Sequence, residues 1–195
     1  MQRLTFGLVL TLGAGAAYGD AADEAALAAF RAGFAGGCDA ELVAPDSLLD
    51  PIVRHDLAMP QTGSDPTSVS LWLFPCLMGA YNLTSVAYLK DETWGLRPVA
   101  FARPDVEITY VNPDEEEQEV KDIKTIGWTA SPFLTNAVFD PAALTMINLS
   151  YWRGMGDAAE GGTWQLVDGE FRLTRYEIDA SYDGEVNPRL IYPTP

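Results

Sequence analysis

The fold of this chain is most plainly written in residues 163–174, TWQLVDGEFRLT. With Asp168-Gly169 as the two central residues of a hairpin turn, Val167 faces Glu170, Leu166 faces Phe171, Gln165 faces Arg172 and Trp164 faces Leu173. Side chains alternate between the faces of a strand, so Trp164, Leu166, Phe171 and Leu173 share one side, and that side is the expected core.

Away from this hairpin the vocabulary stays that of strands: β-branched and aromatic residues punctuated by turns. Strands are expected at 68–74, 81–89, 97–102, 107–111, 123–129, 136–139, 144–151, 163–167 and 170–178. Connections of a few residues are too short for crossover helices, which predicts an antiparallel meander, sandwich or barrel-like. A second hairpin is expected where Asp140-Pro141-Ala142-Ala143 joins NAVF to LTMINLSY, since Pro and Asp suit a turn. Before the strands, AADEAALAAFRAGF is Ala-rich with early acids, and it places Leu27, Phe30 and Phe34 near one face of a helix at about 22–35. Gly36-Gly37 ends it. Four prolines break residues 39–67, so loops are expected there, with at most a short helix around 47–54.

The first residues, MQRLTFGLVLTLGAGAAYGD, have an early Arg3, an apolar run and small residues at Ala17-Tyr18-Gly19, the pattern of a cleaved signal peptide. This predicts a single β-rich domain over 20–195, exported to the periplasm or beyond, with no membrane span after cleavage. The whole chain carries a formal charge of −16 from 12 basic and 28 acidic residues. Losing residues 1–19 removes one arginine and no acid, leaving 11 basic against 28 acidic residues, or −17. Such a surface repels nucleic acid and anionic headgroups and draws cationic partners at a salt-dependent rate. Two cysteines, Cys38 and Cys76, are expected to form a disulfide in an exported chain.

Candidate chemistries thin out quickly. His55 beside Asp56 invites a catalytic dyad, but adjacent residues seldom orient one another and no nucleophile motif accompanies them, so a loop histidine is expected. One histidine and two cysteines cannot complete a standard zinc set. NPDEEEQE at 112–119 offers oxygens for calcium but lacks the ordered spacing of an EF-hand, and a solvated charge block is the simpler reading. GMGD and EGG in 154–162 would need a following helix to cradle phosphate, whereas a hairpin follows. No cofactor is expected. Were there a contact site, its residues would be Arg153 and Asp157 in the Gly-rich run and Tyr81 and Asn82 after Cys76, with Arg153–Asp157 more simply an internal pair that holds its loop.

The chain resembles the family catalogued as domain of unknown function 1176, exported proteins found mainly in Gram-negative bacteria. The resemblance rests on LWLFPCLMGAYN at 71–82, RPVAFARP at 97–104 and LTNAVFDPAALTMINLSYWRGMGDAAEGGTWQLVDGEFRL at 134–173. Two cysteines usual in that family are replaced here, by Ala158 after Gly-Met-Gly-Asp and by Ser181 in the tail. Their joint loss implies that relatives pair them as a disulfide, since removing one alone leaves a reactive thiol. The resemblance implies export and brings no activity with it. Two classes of function follow: a non-enzymatic binding or envelope-accessory domain for a basic protein or cationic envelope component, of which a lysozyme inhibitor is a concrete version, or a carboxylate-based hydrolase.

Overall fold

The structure, a computed structural model, describes residues 20–44, 47, 53–59, 67–112 and 119–193. It is mainly β with one N-terminal helix, as the hairpin spacing predicts. Helix α1 (Ala21–Phe34) is followed by a single 3₁₀ turn at Ala40–Val43. The strands are β1 (Val53–Met59), β2 (Thr67–Met78), β3 (Leu83–Asp91), β4 (Gly95–Pro98), β5 (Phe101–Tyr110), β6 (Val120–Ser131), β7 (Phe133–Thr135), β8 (Val138–Asp140), β9 (Thr145–Tyr151), β10 (Ala159–Val167), β11 (Glu170–Asp179) and β12 (Arg189–Tyr192). All pair antiparallel. The first sheet runs β1-β2-β3-β4 with β7 also on β3, the second runs β12-β11-β10-β9-β8, and β5-β6 form a separate ribbon; no barrel closes among the described residues.

The two sheets pack face to face. Val69, Leu71 and Leu73 of β2 share a core with Met146 of β9, Trp164 and Leu166 of β10, and Phe171 and Ile178 of β11. The alternate side chains of β2, Trp72, Phe74 and Cys76, point the other way, into a second core with Ala26 and Phe30 of α1. Thus β2 is buried on both faces, which explains why LWLFPC reads as an unbroken apolar run. Three layers result: helix, sheet, sheet. Asp20 caps α1 by accepting from the N–H groups of Ala22 and Asp23, while the Asp23 carboxylate accepts from the Asp20 N–H. Phe30 stacks on Phe74 at 4.8 Å between centroids, a contact worth about 0.5–1.5 kcal/mol beyond its buried area. The Cys38–Cys76 disulfide ties the segment after α1 to β2.

The β10–β11 hairpin has the expected register through Trp164↔Leu173. Asp168 and Gly169 both take positive φ, 53° and 78°, the mirror-image turn that follows strand twist. The 140–143 hairpin also forms, with Asp140 accepting from the N–H groups of Ala142 and Ala143.

Four local expectations are corrected. Residues 53–59 form a strand, because Leu57 and Met59 are buried in the inter-sheet core while the polar alternates face out along a sheet edge; most of the short helix expected at 47–54 lies outside the described residues. His55 is therefore on a strand, its ring 5.1 Å from that of Phe139. The expected strands at 97–102 and 107–111 are redistributed into short β4 and continuous β5, which runs through Pro104. A ribbon strand keeps one unpaired edge, so a residue without an N–H fits. Finally, Gly161 and Gly162 lie inside β10 and not in a connection, and the short β7 and β12 carry too few residues for a sequence signal.

Candidate functional site

The four residues singled out in sequence come together at one end of the sandwich. Asn82, in the β2–β3 turn, donates from its side chain to the Tyr151 carbonyl at 2.8 Å and accepts from the Tyr151 N–H at 3.2 Å. Tyr81 Oη donates to the Trp152 carbonyl at 3.3 Å, and its ring covers Gly154. Asn136, at φ 46°, completes the junction. It donates to Asn82 Oδ1 and to the Leu149 carbonyl, both at 3.0 Å, and accepts from the Leu83 N–H at 2.9 Å.

Beyond this junction the loop 152–158 folds around Asp157, which is 1% exposed. The Arg153 guanidinium grips it with two nitrogens, and Asp157 also accepts from the Gly184 N–H at 2.8 Å. Arg153 in turn donates to the Tyr182 carbonyl and lies over the Tyr182 ring. The hydrogen bonds from Arg153 hold the Asp157 carboxyl well below the ordinary carboxylate range, against the opposing effect of burial. The Asp157 carboxylate is satisfied internally and Arg153 commits Nε and Nη2 to the chain, so the geometry is that of a clasp between the loop and the 181–184 segment. It leaves little hydrogen-bonding capacity for a ligand.

A different constellation faces solvent at the turns of β3–β4 and β10–β11. Met59, Thr67 and Val69 floor a cleft of about 150 Å³ whose walls are Asp91, Glu92, Thr93 and Trp94 on one side and Asp168-Gly169 on the other. The Asp91 carboxylate accepts from the N–H groups of Thr93 at 2.8 Å and Trp94 at 2.6 Å, which fixes the turn. Arg97 donates to Asp91 at 2.5 Å and to the Gly169 carbonyl at 2.9 Å, bridging the two sheets behind the cleft. Burial raises the Asp91 carboxyl, yet the Trp94 N–H, Arg97 and the Thr93 N–H outweigh it and leave the pKa below its ordinary value. Trp94 is 73% exposed. Asp168 pairs with Arg172 at 3.2 Å, both side chains being well exposed, so that this pair is weak and exchangeable. Over a floor of Met59, Thr67 and Val69, the exposed indole and the neighbouring carboxylates are the kinds of group that attract a cation on an apolar stem.

Two other hollows are less suited to a ligand. Between the sheets, Tyr176 Oη donates to Glu160 Oε2 at 2.9 Å and Arg103 lies 3.5 Å from the same carboxylate, around a space of about 30 Å³, room for one water. Burial, then the Glu160 charge, pushes the Tyr176 hydroxyl far up. The other hollow, of about 300 Å³, is lined by Glu119, Asp179, Asp183, Asn187 and Arg189. Its buried Asp179 already accepts from Ser181 and from the Asn187 N–H. Residues 113–118 of the expected calcium-type segment lie outside the described residues. Among the described residues no group of three or more His, Cys, Asp or Glu is placed to hold a metal ion.

The Asp56 carboxylate is turned away from His55: it accepts from Ser70 Oγ at 2.6 Å and Arg54 Nε at 3.0 Å. Burial lowers the His55 pKa. Sequence reasoning passes over Trp94, whose signal is a large aromatic inside the turn DETWG, where neither strand face claims it. Comparisons with protein-family models, curated proteins and solved structures found no match for the chain.

Proposed function

We propose that the chain is an exported, non-enzymatic binding domain for a cationic partner, a basic protein or a cationic envelope component, related to the family of domain of unknown function 1176. The observation that carries this reading is how the chain disposes of its charge. Every arginine among the described residues is bonded within the chain, to carboxylates or to carbonyls. With a net charge of −16, what remains to meet a partner is predominantly anionic. The Trp94 cleft is the point where that field ends in a concave, part-aromatic surface, and it is the subsite we assign to a basic side chain. Among the described residues, the carboxyls whose pKa values are displaced, Asp20, Asp56, Asp91, Asp157 and Asp183, are all displaced downward. That suits permanent anions better than the proton donor a carboxylate hydrolase needs.

The test is calorimetric titration of the purified domain with a small basic protein, lysozyme serving as probe, at about 0.01 M and 1 M salt, where the screening length is roughly 30 Å and 3 Å. Binding at the first and its loss at the second supports the reading. Trp94→Ala should weaken binding at low salt by about tenfold, the order expected for one cation–π contact and its packing. No binding to lysozyme or to polylysine at low salt would overturn the proposal.

A further inference from the structure

The second sheet has an outer face that no described element covers, whereas the outer face of the first sheet is sealed by α1. The register sets out its rows. Val138, Ile147, Thr163 and Arg175 lie side by side across β8-β9-β10-β11, and the next row is Leu149, Gly161, Glu177 and Leu190. The β8–β9 side is therefore an apolar ridge, with Val138 60%, Ile147 44% and Leu149 37% exposed. Beside it, β10 contributes only Gly161 and Thr163, a shallow groove along the middle of the sheet. Leu149 leans into that groove, its Cδ1 lying 3.7 Å from where a Gly161 Cβ would sit.

Charge singles out the same face. Its solvent-facing charged side chains are Arg172 and Arg175 against Asp140, Glu170 and Glu177, Asp179 of the same face being buried beneath the 181–187 segment, so the open part is close to balance on a chain whose total is −16. Arg175 and Glu177 already pair with each other. A cationic partner has least reason to land here, while a second copy of the chain meets least repulsion here. Ridge beside groove is self-complementary under a two-fold axis, because each ridge can enter the other copy's groove. The five strands hold 3, 7, 9, 10 and 4 residues, which at about 3.4 Å per residue and 4.8 Å between strands give roughly 540 Å² in projection; the accessible surface of a pleated face of that extent approaches the ~800 Å² per partner buried by stable pairs.

We propose that the protein forms a two-fold homodimer through this face, Ile147 and Leu149 of each copy seated against Gly161 and Thr163 of the other. The interface is apolar and the rest of the surface is like-charged, so dimerisation strengthens as salt rises, opposite to the binding of a cationic partner. The test is sedimentation equilibrium at low and high salt on the wild type, on Ile147→Glu at the ridge and on Thr163→Arg in the groove, with circular dichroism confirming the fold. Twice the monomer mass for the wild type at high salt, and monomer mass for both folded variants, is the expected result. Should one variant fail to fold, the other decides alone. A monomeric wild type at every salt and concentration, or a dimer that a folded variant leaves intact, overturns the proposal. Either failure leaves the lysozyme titration at low salt untouched.

Discussion

Replacing Gly162 with alanine probes the packing of β10 directly. A Cβ built there would collide with Cη2 of Trp164 and sit 2.7 Å from its Cζ3 and 2.8 Å from its Cζ2, because the indole folds back along its own strand over the glycine. Carbon atoms rest at roughly 3.5–4.0 Å, so one group must move by roughly an ångström. The indole is poorly placed to yield: it is 2% exposed, Nε1 donates to the Ala102 carbonyl at 2.8 Å, and Phe101 meets it edge-on at 5.3 Å. Overpacking of this kind costs about 1–3 kcal/mol, and swinging the ring away would strip a buried hydrogen bond worth about 1 kcal/mol. Alanine recovers roughly 0.5–1 kcal/mol of backbone entropy relative to glycine. The expected net loss is about 2 kcal/mol, or roughly 4–8 °C in Tm for a chain of this size. Urea unfolding followed by circular dichroism, with the disulfide intact, measures it. Gly161→Ala is the internal control, since its nearest atoms, the Asn148 carbonyl oxygen at 3.3 Å and Leu149 Cδ1 at 3.7 Å, need give only slightly; a change within about 1 kcal/mol is expected. In a Trp164→Phe background the Gly162→Ala penalty should shrink by at least about 1 kcal/mol, since the offending ring atoms are gone. Equal stability of Gly162→Ala and wild type, or an undiminished penalty in the Trp164→Phe background, would refute the packing argument.

Three further outcomes are expected. Replacing both cysteines with serine frees a 38-residue separation in the unfolded chain and should lower stability by about 4 kcal/mol on the loop-entropy relation, read from urea midpoints. For Asp157→Asn, the folded pKa of the native carboxyl lies below its ordinary 3.8, so its contribution is fully present above that value and is lost as pH falls through the folded pKa. The stability gap between wild type and variant should therefore stay constant above about pH 5 and close only in strong acid; a gap that closes near neutrality would point to another group. Asn136→Ala removes donors to three acceptors, leaves the Leu83 N–H without its partner and puts a Cβ residue without local hydrogen bonding at φ 46°. A loss of about 2–4 kcal/mol is expected in thermal or urea unfolding.

The clasp around Asp157 is half legible in the sequence. Arg153 and Asp157 lie four residues apart among glycines and pair as a loop-holding couple, but the Tyr182 and Gly184 groups that complete the clasp stand 29 and 27 residues along the chain from the side chains they meet. Tyr81 and Asn82 stand out because they follow Cys76. Their role as a seam between the two sheets depends on Tyr151, Trp152 and Asn136, which no spacing rule connects to them. Trp94 carries a signal only in its place inside a turn, and that signal is ambiguous because exposure is a property of the assembled surface; an aromatic in a turn reads the same whether it is covered or bare.

Residues close together in the chain settle much among themselves. Asp168-Gly169 dictates a mirror-image turn and therefore the register of β10 on β11, the early acids and alanines dictate α1, and a lone pair of cysteines leaves one possible bridge. Other features wait on neighbours distant along the chain. VRHDLAM becomes a strand only when β2 offers an edge and the inter-sheet core takes Leu57 and Met59. Gly161-Gly162 becomes strand because Trp164 needs the space. The sheet-on-sheet arrangement, with α1 on one outer face and no described element on the other, follows from burial shared among strands far apart in sequence, where local preference carries no information and packing alone selects the partner.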